Sequence, residues 1–150
     1  MTKFLVVFAS LTGNTEEMAD LIVEGIQAAG AEVDVKQSMD VDADTLLDYD
    51  AFILGAYTWG DGELPDEFLD FYEDMDELDL TGKKAAVFGS GDTAYDQFAA
   101  AVDLLSDKLK ERGAQLVQES LKIELNPAAE DKDVCRNFGK HFAGAVISVV

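Results

Sequence analysis

The sequence predicts an α/β protein whose doubly wound parallel sheet carries helices on both faces. Short apolar runs alternate along the chain with stripes of apolar residues at helical spacing, which is the pattern of strand–helix–strand crossovers. The first run, Phe4 to Phe8, is apolar at every position, as a parallel strand buried on both faces must be. A chain of 150 residues, 48% of them hydrophobic, can bury one core, and we find no linker or repeat. We therefore expect a single domain over residues 1–150.

Four more runs are predicted as strands in chain order. Val33 and Val35 mark a weaker, alternating strand, because only every second residue is apolar. Of the remaining three runs, the first two are short and continuously apolar, and the third is longer and contains polar residues. They are Ala51 to Leu54, Ala85 to Phe88, and Leu116 to Ile123.

Four helices are predicted between and after these strands from apolar residues three or four apart. The stripes are Met18, Ile22, Ile26 and Ala29; Phe68, Phe71, Tyr72 and Met75; Phe98, Val102, Leu105 and Leu109; and Val134, Phe138 and Phe142. Gly30 and Gly113 stand where the first and third helices should end, and Pro65 precedes the second, as expected for a first-turn proline.

The chain carries a large and unevenly distributed negative charge. Eleven Lys and Arg face 31 Asp and Glu, which gives a formal net charge of -20 and excludes binding to nucleic acid or to an anionic membrane. No Lys or Arg occurs between Lys36 and Lys83, whereas acids crowd from Asp40 to Asp79. Solubility alone would explain the total, but this distribution predicts one strongly negative region that attracts basic partners.

Several other site types are not expected. The apolar run after Lys3 is too short for a secretory signal, so we expect a cytoplasmic protein. Cys135 and His141 are the only residues of their types, which argues against a disulfide and a zinc site, and we expect a buried, inert thiol and a surface imidazole. The acidic run beginning at Asp40 resembles a calcium loop, but Thr45 and Ala51 replace its glycine and its final glutamate. We therefore expect no metal.

Three loops leave the carboxyl ends of the predicted strands, which is where ligands bind in open sheets of this type. The loops are Ala9 to Thr15, Ala56 to Pro65, and Gly89 to Gln97, and none contains Lys or Arg.

The first loop has the composition of a phosphate site. Ser10, Thr12, Asn14 and Thr15 offer hydrogen-bond donors, Gly13 lets the backbone come close, and the following helix would point its N-terminus at an anion. A simple helix cap is the alternative, but capping needs fewer such residues. Without the lysine of a P-loop, the loop suits a monophosphate.

The other two loops each carry an aromatic ring. Trp59, the only tryptophan, lies among glycines and acids after a buried strand, and Tyr95 lies in the third loop. Flat rings at this edge favour stacking on a flat ligand, although a tryptophan that only covers the sheet is the alternative. The third loop also reads G-x-G-x-x-A from Gly89 to Ala94, a weak dinucleotide signal without its acidic partner. Together the loops predict a planar heterocycle carrying one phosphate.

On these motifs the sequence resembles the short-chain flavodoxins over essentially its whole length. Ser10 to Thr15 matches the FMN-phosphate loop of that family, Thr58-Trp59-Gly60-Asp61 the inner isoalloxazine loop, and Gly91-Asp92 with Tyr95 the outer loop. Tyr57 departs from the smaller residue of several relatives, so we assign the phosphate contact to Thr58. The resemblance implies a five-stranded sheet in the order 2-1-3-4-5, with no insertion in the fifth strand.

The resemblance also implies the cofactor, the site and the activity. The implied FMN-binding residues are Ser10, Leu11, Thr12, Gly13, Asn14, Thr15, Thr58, Trp59, Gly60, Asp61, Gly62, Ser90, Gly91, Asp92 and Tyr95. No catalytic residue is implied, because the family carries single electrons on non-covalent FMN that passes between oxidised, semiquinone and hydroquinone states. Loops rich in carboxylates and free of cations disfavour added negative charge, which predicts a low potential.

The implied partners are redox proteins, and the charge predicts that they are basic. A flavodoxin reductase-type donor and electron-accepting enzymes fit this role, with the chain itself a monomer. Two alternatives remain open. One is an FMN-dependent reductase with its own quinone-type substrate, and the other is a specialised flavodoxin-like partner that activates an enzyme.

Overall fold

The chain forms a parallel sheet with helices on both faces. A computed structural model describes residues 3–9, 14–57, 66–91, 100–124 and 129–147. The strands are β1 (Phe4–Ala9), β2 (Val33–Gln37), β3 (Ala51–Tyr57), β4 (Lys84–Gly91), β5 (Gln115–Leu116) and β6 (Leu121–Glu124). The α-helices are α1 (Asn14–Ala28), α2 (Asp66–Asp74), α3 (Ala100–Glu111) and α4 (Ala129–Ile147). Short 3-10 helices span Ser38–Asp40, Ala43–Asp48 and Met75–Glu77.

The strand order is β2-β1-β3-β4-β5 and all pairings are parallel, which confirms the expected order. The fifth position, however, is shared, because β5 and β6 both pair with β4. The predicted uninterrupted strand from Leu116 to Ile123 is therefore wrong between its two ends. Polar side chains of the intervening segment contact α3 and α4. Gln118 donates to the Phe138 carbonyl oxygen at 3.1 Å, and the hydroxyls of Ser120 and Ser106 lie 3.0 Å apart.

The central strands are buried on both faces, as their continuous apolar runs predict. Alternate residues of β1 enter two separate clusters. Leu5, Val7 and Ala9 pack with α2 and α3, whereas Phe4, Val6 and Phe8 pack with α1 and α4. The sheet is therefore the middle of three layers.

The helices mostly bury the residues that their stripes predict. Met18, Ile22 and Ile26 of α1 are buried, whereas Ala29 is exposed just beyond the helix. In α4 the prediction is confirmed for Phe142, which is buried, and is wrong at Val134, which is 45% exposed, because Cys135 faces the sheet in its place. Phe98 lies outside the described residues. None of the helices in the described ranges combines the length and the apolar character needed to cross a membrane.

The predicted glycine stops of α1 and α3 are confirmed. Gly30 has φ 90° and Gly113 has φ 96°, a region that residues with a Cβ rarely adopt. The Ala31 amide donates to the Ile26 carbonyl oxygen and the Ala114 amide to that of Leu109, so both helices close with the bonds of a glycine C-cap. The 3-10 helices between β2 and β3 are not predicted by the sequence patterns.

Candidate functional site

The carboxyl ends of three neighbouring strands meet at one edge of the sheet. Ala9 at the end of β1 pairs with Ala56 of β3, and Tyr57 at the end of β3 pairs with Ser90 of β4. The segments 10–13, 58–65 and 92–99 leave the sheet from these strand ends. The three loops predicted to hold a ligand therefore begin at a common edge, where ligands bind in open parallel sheets.

Most of the predicted site residues lie outside the described residues. These are Ser10, Leu11, Thr12, Gly13, Thr58, Trp59, Gly60, Asp61, Gly62, Asp92 and Tyr95. The structure places the other four at the same edge. Asn14 and Thr15 begin α1, and Ser90 and Gly91 end β4. Tyr57, which departs from the family motif, is half-buried at the end of β3.

The N-terminus of α1 opens onto this edge. The helix begins at Asn14, only five residues after β1 ends at Ala9, and the Thr15 side chain is buried. The first amides of a helix have no partner within the helix and carry a partial positive charge. This end of α1 can therefore bind an anion that lies next to the segment 10–13.

Two glycines allow α1 to pack unusually close to α4. A Cβ on Gly25 of α1 would lie 1.9 Å from the Arg136 carbonyl oxygen, and one on Gly139 of α4 would lie 2.0 Å from that of Ile22. The two backbones are therefore in direct contact, and α4 holds α1 in position against the sheet. Sequence reasoning missed this contact. Its only signal is a pair of glycines inside predicted helices, where glycine is unfavourable without a packing reason.

Two further glycines lie near the carboxyl ends of the central strands. A Cβ on Gly55 of β3 would lie 2.1 Å from the Phe88 ring, and one on Gly89 of β4 would lie 2.4 Å from Val102 and 2.5 Å from the Ala56 carbonyl oxygen. Gly55 thus makes room for a buried aromatic ring beneath the edge, and Gly89 lets α3 come close to β4. Glycine inside a strand often marks such a close approach, so this signal was present in the sequence.

A buried cation joins the two helices that follow the aromatic loops. Lys108 of α3 is 7% exposed, forms an ion pair with Asp76, and lies 4.5 Å from the centroid of the Tyr72 ring. Arg112 donates to the Asp76 carbonyl oxygen at 2.7 Å. The hydrogen bond that the Lys108 ammonium donates to the Asp76 carboxylate raises the pKa of Lys108. Because α2 follows the segment with Trp59 and α3 follows the segment with Tyr95, this cluster connects the two helices that come after the predicted rings.

The exposed side of α1 is strongly negative. Partial burial, and after it the charges of Glu16 and Glu24, raises the pKa of Asp20. Only some of these acids are balanced, since Arg136 of α4 lies 3.4 Å from Glu24. The predicted phosphate site thus combines a favourable helix N-terminus with unfavourable acidic neighbours, so its binding must rely on short-range hydrogen bonds.

The residues given no role in the sequence analysis are placed as follows. Cys135 is fully buried and His141 is exposed, which agrees with the predicted inert thiol and surface imidazole. The Nδ1 atom of His141 lies 2.5 Å from the Gln118 Oε1 atom. Within the described ranges, no three His, Cys, Asp or Glu residues are grouped as a metal site would require.

The chain is similar to known flavodoxins. The flavodoxin family model matches residues 6–139. A probable flavodoxin 2 of Bacillus subtilis is 58% identical over 144 residues, which cover 95% of each protein. A flavodoxin of Maridesulfovibrio salexigens is 40% identical over 134 residues, covering 87% of this chain and 92% of the relative. Among solved structures, oxidised flavodoxin 1 from Bacillus cereus superposes with a TM-score of 0.92 at 53% identity, covering 99% of both chains.

Proposed function

The chain belongs to the flavodoxin family, and from this premise we propose which of its residues hold the cofactor and what kind of partner it serves. Flavodoxins bind FMN and transfer electrons between redox partners. This chain is accordingly an FMN-binding electron carrier and not an enzyme. The flavin supplies the redox chemistry, while the protein binds it and tunes its electronics.

The proposed site spans the three segments at the carboxyl edge of the sheet. The phosphate is bound by residues 10–15 and the Thr58 hydroxyl, and the ring is bound between Trp59 and Tyr95. The backbone around Gly60–Gly62 and Ser90–Asp92 borders the ring. The observation that carries this assignment is the register of β1, β3 and β4, which starts all three segments at one edge. The N-terminus of α1 at that edge suits the phosphate.

Acid precipitation of the purified protein tests the cofactor. We expect one FMN per chain in the supernatant, because the site residues bind it without a covalent bond. Recovery of FAD, of no flavin, or of flavin that stays on the protein would contradict the proposed site.

Tryptophan fluorescence tests the position of the ring, because Trp59 is the only tryptophan. We expect its emission to be quenched with FMN bound and to recover in the apoprotein. Trp59→Ala should weaken FMN binding by about 2- to 10-fold, since stacking contributes about 0.5–1.5 kcal/mol beyond burial. Trp59→Phe keeps a flat ring and serves as the matched control, with affinity close to wild type. Unchanged emission on FMN removal would place the indole elsewhere.

The partners are proposed to be basic redox proteins, namely a reductase-type donor and electron-accepting enzymes. The support is the charge of -20 and the absence of Lys and Arg between Lys36 and Lys83. The same repulsion between copies supports a monomer, and the single cysteine supports a cytoplasmic location. Because exposed charges are screened beyond about 8 Å at physiological ionic strength, association with a basic partner should slow steeply as salt rises. A rate independent of salt would contradict charge steering.

A low redox potential is also proposed, because none of the three loops contains a cation and the second and third contain acids. Potentiometric titration of the holoprotein measures it. A potential at or above that of free FMN would contradict the electrostatic argument.

The reductase alternative makes a different prediction. A reductase would bleach its own flavin with NAD(P)H, whereas a carrier stays oxidised until a separate reductase is added. Affinity capture from cell extract at low salt, which preserves charge-driven complexes, would identify the physiological partner and test the enzyme-activation alternative.

A further inference from the structure

A groove with an apolar floor and an acidic rim lies beside the proposed cofactor edge. Its volume is about 460 Å³, and its walls are the segment after β2 and one face of α2. The lining residues are Ser38, Met39, Val41, Asp42, Asp70, Phe71 and Asp74. Ser38 and Phe71 are buried and Val41 is half-buried, so the floor is packed, with Phe71 and Val41 as its apolar part.

Met39 is the unusual residue of this groove. Its side chain is 68% exposed, more than that of any other large apolar residue in the described part of the chain. The residue belongs to the 3-10 helix Ser38–Asp40, which packs against α2. A flexible, polarisable side chain exposed beside Phe71 and Val41 can adapt its shape to an apolar side chain of a partner.

The position of the groove connects it to electron transfer. Gln37, the last residue of β2, pairs with Phe8 of β1, so Ser38 and Met39 continue from the same carboxyl edge as the segment 10–13. The opposite wall belongs to α2, which directly follows the segment containing Trp59. A protein bound in the groove would therefore contact the chain next to two of the three proposed FMN-binding segments.

The charges of the rim define the occupant. Asp42, Asp70 and Asp74 are exposed, and among the described residues no ion pair involves any of them. A second copy of the chain would bring a further net charge of -20 against this rim and be repelled. A small molecule would leave most of its surface in water, because the groove is open and its most exposed apolar residue lies at the rim.

We propose that the groove formed by Met39, Phe71 and the acids Asp42, Asp70 and Asp74 docks a basic redox protein, which inserts an apolar side chain against Met39 and surrounds it with lysine or arginine. The acids steer the partner and fix its orientation, while burial of Met39 slows its dissociation. The inference rests on the proposed function and adds to it the location of the docking surface.

The test measures electron transfer from the reduced holoprotein to two acceptors by stopped flow at low ionic strength. Cytochrome c is the basic protein probe, and 1,4-benzoquinone is a small neutral acceptor that needs no docking surface. Met39→Gln removes the apolar contact, and Val134→Gln is its control, since Val134 is 45% exposed on α4 at the other face of the sheet. Asp42→Asn with Asp74→Asn removes rim charge. Glu32→Gln is the charge control, because this exposed residue precedes β2 at the opposite edge of the sheet.

We expect Met39→Gln to lower the second-order rate with cytochrome c by about 3- to 10-fold, which corresponds to partial burial of one methionine. The double Asp variant should lower the rate similarly and flatten its salt dependence, whereas both controls stay within about 2-fold of wild type. All variants should reduce benzoquinone at the wild-type rate.

Three results would overturn the inference. If Met39→Gln behaves like Val134→Gln with cytochrome c while benzoquinone is reduced normally, the docking surface lies elsewhere and the carrier function stands. If the reduced wild-type protein transfers no electron even to benzoquinone, the proposed function fails and the docking surface fails with it. If ultracentrifugation shows a dimer that Met39→Gln dissociates, a second copy occupies the groove.

Discussion

The contact between α1 and α4 predicts opposite effects for one substitution at two glycines of the same helix. Gly139 is buried, and a Cβ there would lie 2.0 Å from the carbonyl oxygen of Ile22 and 2.8 Å from its carbonyl carbon. These are backbone atoms of α1, so no side chain can rotate away. Gly144 lies one and a half turns further along α4 and is exposed, and a Cβ there would meet nothing within 4 Å. Gly139→Ala and Gly144→Ala are therefore a matched pair.

The expected sizes follow from two effects. Replacing glycine by alanine inside a helix gains about 1 kcal/mol of helix propensity, and at Gly144 nothing offsets it. At Gly139 the carbonyl must withdraw by about 1 Å before the pair reaches the 3.0 Å that real Cβ contacts respect. Overpacking of this kind costs about 1–3 kcal/mol and sometimes more. We expect Gly144→Ala to stabilise the protein by about 0.5–1 kcal/mol and Gly139→Ala to destabilise it by up to about 2 kcal/mol after the propensity gain.

Urea unfolding of the apoprotein measures both values, because FMN binding would otherwise add its own stabilisation. The slope of the transition should be the same for both variants, so that the midpoints report stability alone. Gly139→Ala should also weaken FMN binding, since α1 carries the proposed phosphate site at its N-terminus. If the two variants differ by less than about 0.5 kcal/mol, the close approach of α1 and α4 is wrong.

Two other contacts give predictions with a pH signature. The Tyr49 hydroxyl donates to Asp34 at 2.6 Å, and this bond raises the pKa of Tyr49 to about 12. The stabilisation by this bond should therefore be complete below pH 10, the ordinary pKa of tyrosine, and be lost as pH rises to about 12. Tyr49→Phe should cost about 1 kcal/mol of stability and remove one phenol that ionises near pH 12 from the 295 nm titration. An unchanged titration would contradict the hydrogen bond. Lys108→Met should cost about 1–3 kcal/mol by removing the ion pair with Asp76 and the contact with the Tyr72 ring. Because the pKa of Lys108 is raised, that difference should persist to pH 10.5 and shrink above it, and a constant difference would argue against the ion pair.

The fold was predictable wherever one physical cause dominates the sequence pattern. A strand buried on both faces must be apolar throughout, so Phe4 to Phe8 could be assigned without knowledge of its neighbours. The glycines that end α1 and α3 were equally clear, because a positive φ is a local requirement.

Other features depend on how elements meet, and the sequence alone does not contain that. The stripe containing Val134 is as regular as one through Cys135, and only the packing of α4 shows that Cys135 faces the sheet. The polar contacts of the segment between β5 and β6 likewise depend on α3 and α4.

The candidate site likewise has parts that the sequence predicts and parts that depend on how elements pack. Its loop residues were predictable from chemistry, because hydroxyls, glycines and flat rings after buried strands have few other uses. Its supports were not: Lys108 and Asp76 are 32 residues apart, and nothing local in either segment indicates an ion pair. The Met39 groove is similar, since it forms only when α2 packs beside the end of β2.

Salt should act with opposite sign on the folding and on the docking of this protein. Folding gathers the acids of a chain with net charge -20 into one small volume, and those of the Met39 groove have no described cation beside them. The cations in the described ion pairs, from Lys108 to Arg136, lie on α3 or directly after it, on α4 and on β6. Exposed like charges repel by up to about 1 kcal/mol per close pair in water, so shortening the screening length from about 30 Å to about 8 Å should raise the apoprotein's stability by on the order of 1 kcal/mol. The same increase in salt should slow electron transfer to a basic protein, because it also screens the attraction between the acids and that protein. Asp42→Asn with Asp74→Asn should reduce both responses. If stability and docking instead change in the same direction with salt, the unbalanced acids are not the source of the field.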